Sequence, residues 1–255
     1  MADSVEVIRA GALGKLPHGF LGRRGGVSTG LVAGLNVGLG AGDDEAAIAE
    51  NRARAARAVL PGAALVGVCQ VHSPDCVTLA EPWRDAERPQ ADALVTDRKG
   101  MLLSIVTADC APVLLADSNA GVVGAAHAGW KGAFTGVIEN TVAAMMALGA
   151  RAGNIAAAIG PCIAQASYEV DASFLARFTG TDAANARFFA AGRPGHWHFD
   201  LQAYVARRLE MAGITRVEPL GLDTLVAPDR FYSYRRATLR GEPAFGRQIS
   251  LIGLE

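Results

Sequence analysis

The chain has 255 residues, 51% of them hydrophobic, enough for a sizeable core without disulfide staples. A formal net charge of -1, from 24 basic and 25 acidic residues, gives no electrostatic footprint for nucleic acid or an anionic membrane surface. The four cysteines, Cys69, Cys76, Cys110 and Cys162, form no CxxC pair and read as free thiols of a reducing, cytoplasmic compartment; no signal peptide and no apolar run of bilayer length is visible.

In chain order, the first predicted helix covers 44–59, with Asp43 or Asp44 as its N-cap and a run of Ala and Arg. Strands are predicted over 64–69, 102–107, 112–116 and 121–126. A long helix follows over 131–148, where Phe134, Val137, Ile138, Thr141, Val142 and Met145 share one face and Gly149 marks the stop. A strand over 155–159 comes next. A helix over 200–212 is capped by Asp200 and turns Leu201, Tyr204, Val205 and Leu209 inward, and a strand over 216–221 follows it. The stretch 102–126 reads as antiparallel or hairpin-like, and 121–160 as strand–helix–strand. This mixture predicts an α+β fold, a single domain over 1–255 with layered mixed β-sheets flanked by helices.

Three segments place chemistry at the ends of apolar runs: Gln70-Val71-His72, Ala108-Asp109-Cys110 and His127-Ala128-Gly129-Trp130. Two imidazoles and a thiolate suit zinc, with a fourth position left open. The same residues suit a Cys/His nucleophilic site. Their spacing is long and matches no compact zinc motif such as HExxH, so spacing alone gives the metal reading little support. Lys131 and the start of the long helix offer positive potential and free amides to an anion. Arg23-Arg24-Gly25-Gly26 is a basic glycine turn that can hold a phosphate or carboxylate, with a solvated loop as its default reading.

Two lookalikes are set aside. The glycine-rich Gly38–Gly42 turn has no buried strand before it, and Asp43, Asp44 and Glu45 after it would repel a pyrophosphate. His196-Trp197-His198 sits beside a Pro-Gly break and reads as a surface segment without an acidic partner. Cys162, in Gly160-Pro161-Cys162, reads as packed.

Taken together, the motifs are familiar. RRGGVS from Arg23, GLNVG from Gly34, ENR from Glu50, QVH from Gln70, ADALVTD from Ala91, TADCAPVLLAD from Thr107, AAHAGWKG from Ala125, AAIGPCI from Ala157, YEVD from Tyr168 and FYSYRR from Phe231 run through nearly the whole chain in a fixed order. The chain resembles the multicopper polyphenol oxidoreductase (laccase) family, whose members are also described as purine nucleoside phosphorylases and peptidoglycan-editing factors. The resemblance implies a zinc site of His72, Cys110 and His127, with copper as an alternative occupant, and substrate contacts from Arg23 and Asn36. One departure is Asp223-Thr224, where the family often has a cysteine before the threonine.

Ligand counting argues against the laccase label. A multicopper cluster needs many histidines, and this chain has five. The resemblance favours phosphorolysis of purine nucleosides (adenosine, inosine, methylthioadenosine) with associated adenosine deamination. The expected partners are a small nucleoside and phosphate, with Arg23 and Lys131 as the anion contacts, in a monomer or homodimer. The alternatives are a peptidoglycan-precursor amidase using the same His/Cys/His set, and a non-catalytic metal-binding protein.

Overall fold

A computed structural model describes residues 4–40 and 42–255. Ala41, within the glycine-rich turn set aside above, and the first three residues of the N-terminus lie outside the described residues. Two large sheets carry the architecture. The first has five strands in the spatial order Val7–Ile8, His18–Leu21, Gln248–Gly253, Met101–Thr107 and Ala64–Gly67. The second has six, in the order Arg216–Pro219, Ala156–Ile159, Ala111–Asp117, Val122–Ala128, Ala93–Thr96 and Cys76–Thr78. Both mix parallel and antiparallel pairs, as the α+β reading expects.

The sheets pack face to face. Leu103, Ile105 and Ile252 from the first meet Leu114, Val123, Ala125 and Ala158 from the second in one apolar cluster. Helix Glu45–Val59 covers the outer face of the first sheet through Ala55 and Val59, against Leu21, Leu102 and Ile249. The helices after residue 129 and the helix Leu201–Met211 cover the outer face of the second. Central strands are therefore buried on both faces, and all seven residues of Ala111–Asp117 are buried. This is why they read as continuous apolar runs rather than alternating ones.

Several local expectations need correction. The apolar pattern predicted one helix over 131–148, but there are two, Trp130–Thr135 and Val137–Ala147. Gly136 separates them with φ 110°, a conformation glycine adopts without the Cβ clash. The inward face of the second helix is as expected, with Val137, Ile138, Thr141, Val142 and Met145 buried. It packs closely at Gly124, where an added Cβ would lie 3.1 Å from the Met145 sulfur. The antiparallel, hairpin-like reading of 102–126 holds for its second part, where Ala111–Asp117 and Val122–Ala128 pair antiparallel in the second sheet, but Met101–Thr107 joins the first.

The segment 196–198 is not a loose surface segment either. It is the central strand of a small third sheet, with His198 opposite Glu169 and His196 opposite Asp171, and Trp197 packs on the core. Of the two candidate caps of the first helix, Asp44 is the N-cap and accepts from the Ala47 amide at 2.8 Å. Among the described residues, no helix is long and apolar enough to cross a membrane.

Candidate metal centre and its cavity

The end of strand Ala64–Gly67 is extended by a side chain. Gln70 donates from Nε2 to the Val106 carbonyl at 2.8 Å and accepts from the Val106 amide at 2.9 Å, as a neighbouring strand would. Two residues on, His72 takes φ 60°, and Asp109 takes φ 88°; these are the two non-glycine residues with positive φ among those described. Such backbone is costly unless its surroundings hold it, and it concentrates at functional sites.

Asp92 supplies the hold for His72. Its Oδ2 accepts from the amides of Val71 at 3.0 Å and Ser73 at 2.7 Å, on either side of the histidine. Its Oδ1 accepts from His127 Nδ1 at 2.7 Å. With Nδ1 carrying the proton, Nε2 of His127 is left as a donor atom toward the site. Burial opposes charge on His127, but the neighbouring Cys110 and the Asp92 carboxylate outweigh it and raise its pKa to about 9. Burial alone would raise Asp92; the bonds from His127, Ser73 and Val71 instead bring it down to about 2. Partial burial and the neighbouring His127 and Lys131 charges hold His72 below its usual value.

Asp109 supplies the hold beside Cys110. It accepts from Thr224 Oγ1 at 2.6 Å, Ser233 Oγ at 3.0 Å and the Arg235 amide at 2.6 Å. Asp223, the departure noted in the sequence, accepts from Ser167 Oγ at 2.5 Å and fastens the 164–167 segment.

The three candidate ligands converge. Donor atoms of His72, Cys110 and His127 all lie within 4.8 Å of one another. The two imidazole centroids are 4.8 Å apart. Gly129 completes the cradle: a Cβ there would lie 2.8 Å from His72 Nδ1 and 2.9 Å from Cys110 Sγ. Two imidazoles, one thiolate and a carboxylate that orients one imidazole form a donor set suited to zinc and to other borderline metals. The same geometry supplies what the sequence reading lacked for a thiol mechanism, an orienting group: Asp92, His127 and Cys110 form a carboxylate–imidazole–thiol series.

The cluster opens into a cavity of about 520 Å³. Aromatic residues Trp130, Tyr168, Tyr234 and Phe245 line it, as do the arginines Arg52, Arg88, Arg235 and Arg247. The predicted contacts Arg23, Asn36 and Lys131 are not among its lining residues. Arg23 spends its donors on the carbonyls of Ala33 and Pro228 and lies 4.7 Å over the Tyr232 ring. Asn36 is fully buried behind the wall; its Oδ1 accepts from the Gly38 and Arg247 amides and its Nδ2 donates to Asp43. Lys131 is exposed and acts on His72 through its charge. Cys162 is packed, and burial pushes its thiol well up.

Sequence reasoning missed Asp92 and the four arginines. Asp92 carried a signal: a carboxylate just before the apolar run Ala93–Val95 must find partners if that strand is buried. Arg52 and Arg235 lie inside the ENR and FYSYRR motifs.

Known proteins share the sequence and the fold of this chain. The family model described as multi-copper polyphenol oxidoreductase laccase matches residues 17–255. A Streptomyces griseus protein named purine nucleoside phosphorylase ORF3 is 42% identical over 233 residues, covering 91% of this chain and 93% of its own. A Deinococcus radiodurans protein named purine nucleoside phosphorylase is 41% identical, covering 99% and 94%. The crystal structure of YlmD from Geobacillus stearothermophilus superposes with a TM-score of 0.89 at 29% identity, covering 100% of this chain and 97% of that one. The chain therefore belongs to the multi-copper polyphenol oxidoreductase laccase family.

Proposed function

We propose that the protein is a cytoplasmic, zinc-dependent purine nucleoside phosphorylase, with adenosine deamination as a second activity of the same site. The observation that carries this reading is the convergence of His72, Cys110 and His127 at a cavity walled by aromatic and arginine side chains. The names of the relatives supply the purine and the phosphate. When bound, zinc supplies Lewis acidity at neutral pH.

The chain's own residues do the rest. Asp92 fixes the His127 tautomer and the His72 loop, so the donor atoms are set before a ligand arrives. Trp130, Tyr168, Tyr234 and Phe245 offer faces on which a flat heterocycle stacks. The arginines offer charge to an oxyanion.

Metal-replete protein is expected to release free base from adenosine, inosine and methylthioadenosine only when phosphate is present, and ammonia from adenosine without it. Chelation is expected to abolish both. Base release independent of phosphate would exclude phosphorolysis.

The Asp92–His127–Cys110 series favours a second reading, a thiol amidase acting on peptidoglycan precursors. Alkylation separates the two. In the zinc reading, iodoacetamide spares Cys110 until the metal is removed. Fast labelling of zinc-replete protein, with activity surviving chelation, selects the thiol enzyme.

A further inference from the structure

The cavity is over-supplied with positive charge. Four arginines line it, and among the described residues the sole acidic lining residue is Asp109, whose oxygens are taken by Thr224, Ser233 and the Arg235 amide. Arg52 and Arg88 share one counter-ion, Asp85, at 3.0 and 3.7 Å. Both guanidinium side chains are mostly covered, at 11% and 23% exposure, whereas Asp85 is 51% exposed. One half-solvated carboxylate faces two desolvated cations.

Arg247 has no carboxylate within 4.0 Å among the described residues. Its contacts are the Phe245 ring at 5.0 Å and a long bond of 3.4 Å to the Leu39 carbonyl. Burial lowers both Arg52 and Arg247 from their ordinary values, as expected of cations short of counter-charge. Asn36 holds the Arg247 backbone from behind, and the fully buried Asn51, next to Arg52, binds the Asn36 carbonyl. Arg52 and Arg247 thus stand on an ordered scaffold, although the three guanidinium groups have one carboxylate, Asp85, between them among the described residues.

We propose that Arg52, Arg88 and Arg247 form a phosphoryl-binding subsite of the cavity, distinct from the His72–Cys110–His127 cluster. A doubly charged tetrahedral oxyanion matches the excess charge, and guanidinium forks match its oxygens in pairs. A carboxylate would neutralise only one of the unpaired charges. The phosphoryl group belongs either to inorganic phosphate or to the phosphate ester of a nucleotide whose base stacks on the aromatic wall. The choice of ligand rests on the phosphorolysis reading, but the charge pattern does not.

Calorimetric titration of the purified, metal-assayed protein with inorganic phosphate, adenosine and adenosine 5′-monophosphate tests this. Arg88→Ala and Arg247→Ala are the main variants. Arg52→Lys accompanies Arg52→Ala, so that loss of the Asp85 pair is not mistaken for loss of the ligand. The expected result is at least tenfold weaker binding of inorganic phosphate with adenosine affinity within twofold. If inorganic phosphate is unaffected and only the nucleotide weakens tenfold, the subsite stands and its occupant is the ester. Wild-type affinity for both in every variant, no binding of either to the wild type, or an equal loss of adenosine, overturns the proposal. The titration needs no turnover. Should no base be released in any condition, the functional reading falls while the subsite is judged on its own result.

Discussion

Asp92 and Asp109 are both buried carboxylates with three donors each, yet they organise different parts of the molecule. Asp92 gathers its donors from Val71, Ser73 and His127, so it ties two candidate ligands to each other. Asp109 gathers its donors from Thr224, Ser233 and Arg235, so it ties the turn bearing Cys110 to the segment that carries Tyr234 and Arg235 into the cavity. One carboxylate sets the donor atoms, and the other sets the wall they face. The contrast teaches that a buried charge next to a site is not thereby part of its chemistry. The origin of its donors shows which part it serves.

The largest expected effect comes from breaking the Asp92 side of this contrast. Asp92→Ala frees the His127 ring and the His72 backbone together. Zinc affinity is expected to fall about 10- to 100-fold, the usual cost of losing a group that orients a metal-bound histidine. Competition with a chromogenic chelator measures it. Gly129→Ala sharpens the point, because it leaves Asp92 intact yet pushes on His72 and Cys110 directly. If both variants keep wild-type affinity, the three residues are not the metal site.

Asp109→Ala is expected to do the converse. It leaves buried hydroxyl and amide donors unpaired and costs about 3 kcal/mol of stability, read by denaturant unfolding. Zinc affinity is expected to change less than threefold. Thr224→Val, which removes one of the three donors, is expected to cost about 1 kcal/mol. A metal loss in Asp109→Ala as large as that of Asp92→Ala would erase the contrast.

The smallest effect concerns a histidine that neither carboxylate serves. His18 is fully buried, accepts from the Ala10 amide through Nε2 at 2.9 Å and donates from Nδ1 to the Leu16 carbonyl. Burial lowers its pKa, against weaker opposing contributions. The folded state therefore binds fewer protons than the unfolded state below about pH 6.5, the ordinary histidine value. Its contribution to stability is full above that pH and declines as pH falls toward the depressed folded value. Urea midpoints between pH 7 and 5 are expected to fall, and less steeply in His18→Gln. An equal slope in the variant would assign the pH dependence to other groups.

The sequence made part of this visible for definite physical reasons. His72, Cys110 and His127 stood out because metal-capable side chains broke long apolar runs. The caps Asp44 and Asp200 and the inward faces of two helices followed from helical spacing. The break at Gly136 was hidden because Phe134, Val137 and Ile138 stay in phase across it. The place of Arg23 was not legible, because a basic glycine turn looks the same whether its charge faces a ligand or makes three carbonyl bonds of its own, as it does here. The cavity arginines come from the helix Glu45–Val59, from the turn just after Asp85–Glu87, and from segments past residue 230. Only the packing of the two sheets brings them together, and no local pattern encodes that.

The strand Gln248–Gly253 lies between His18–Leu21 and Met101–Thr107. During synthesis both of those strands are made long before the one that joins them. At roughly 5–20 residues per second, the delay is on the order of ten seconds. Until then the first sheet has two unpaired edges of high β-propensity, which are prone to pair with other chains. The interval between synthesis of Thr107 and of Gln248 is thus the one in which such pairing has its opening, and slowing translation across it is expected to lower the recovered yield of folded protein.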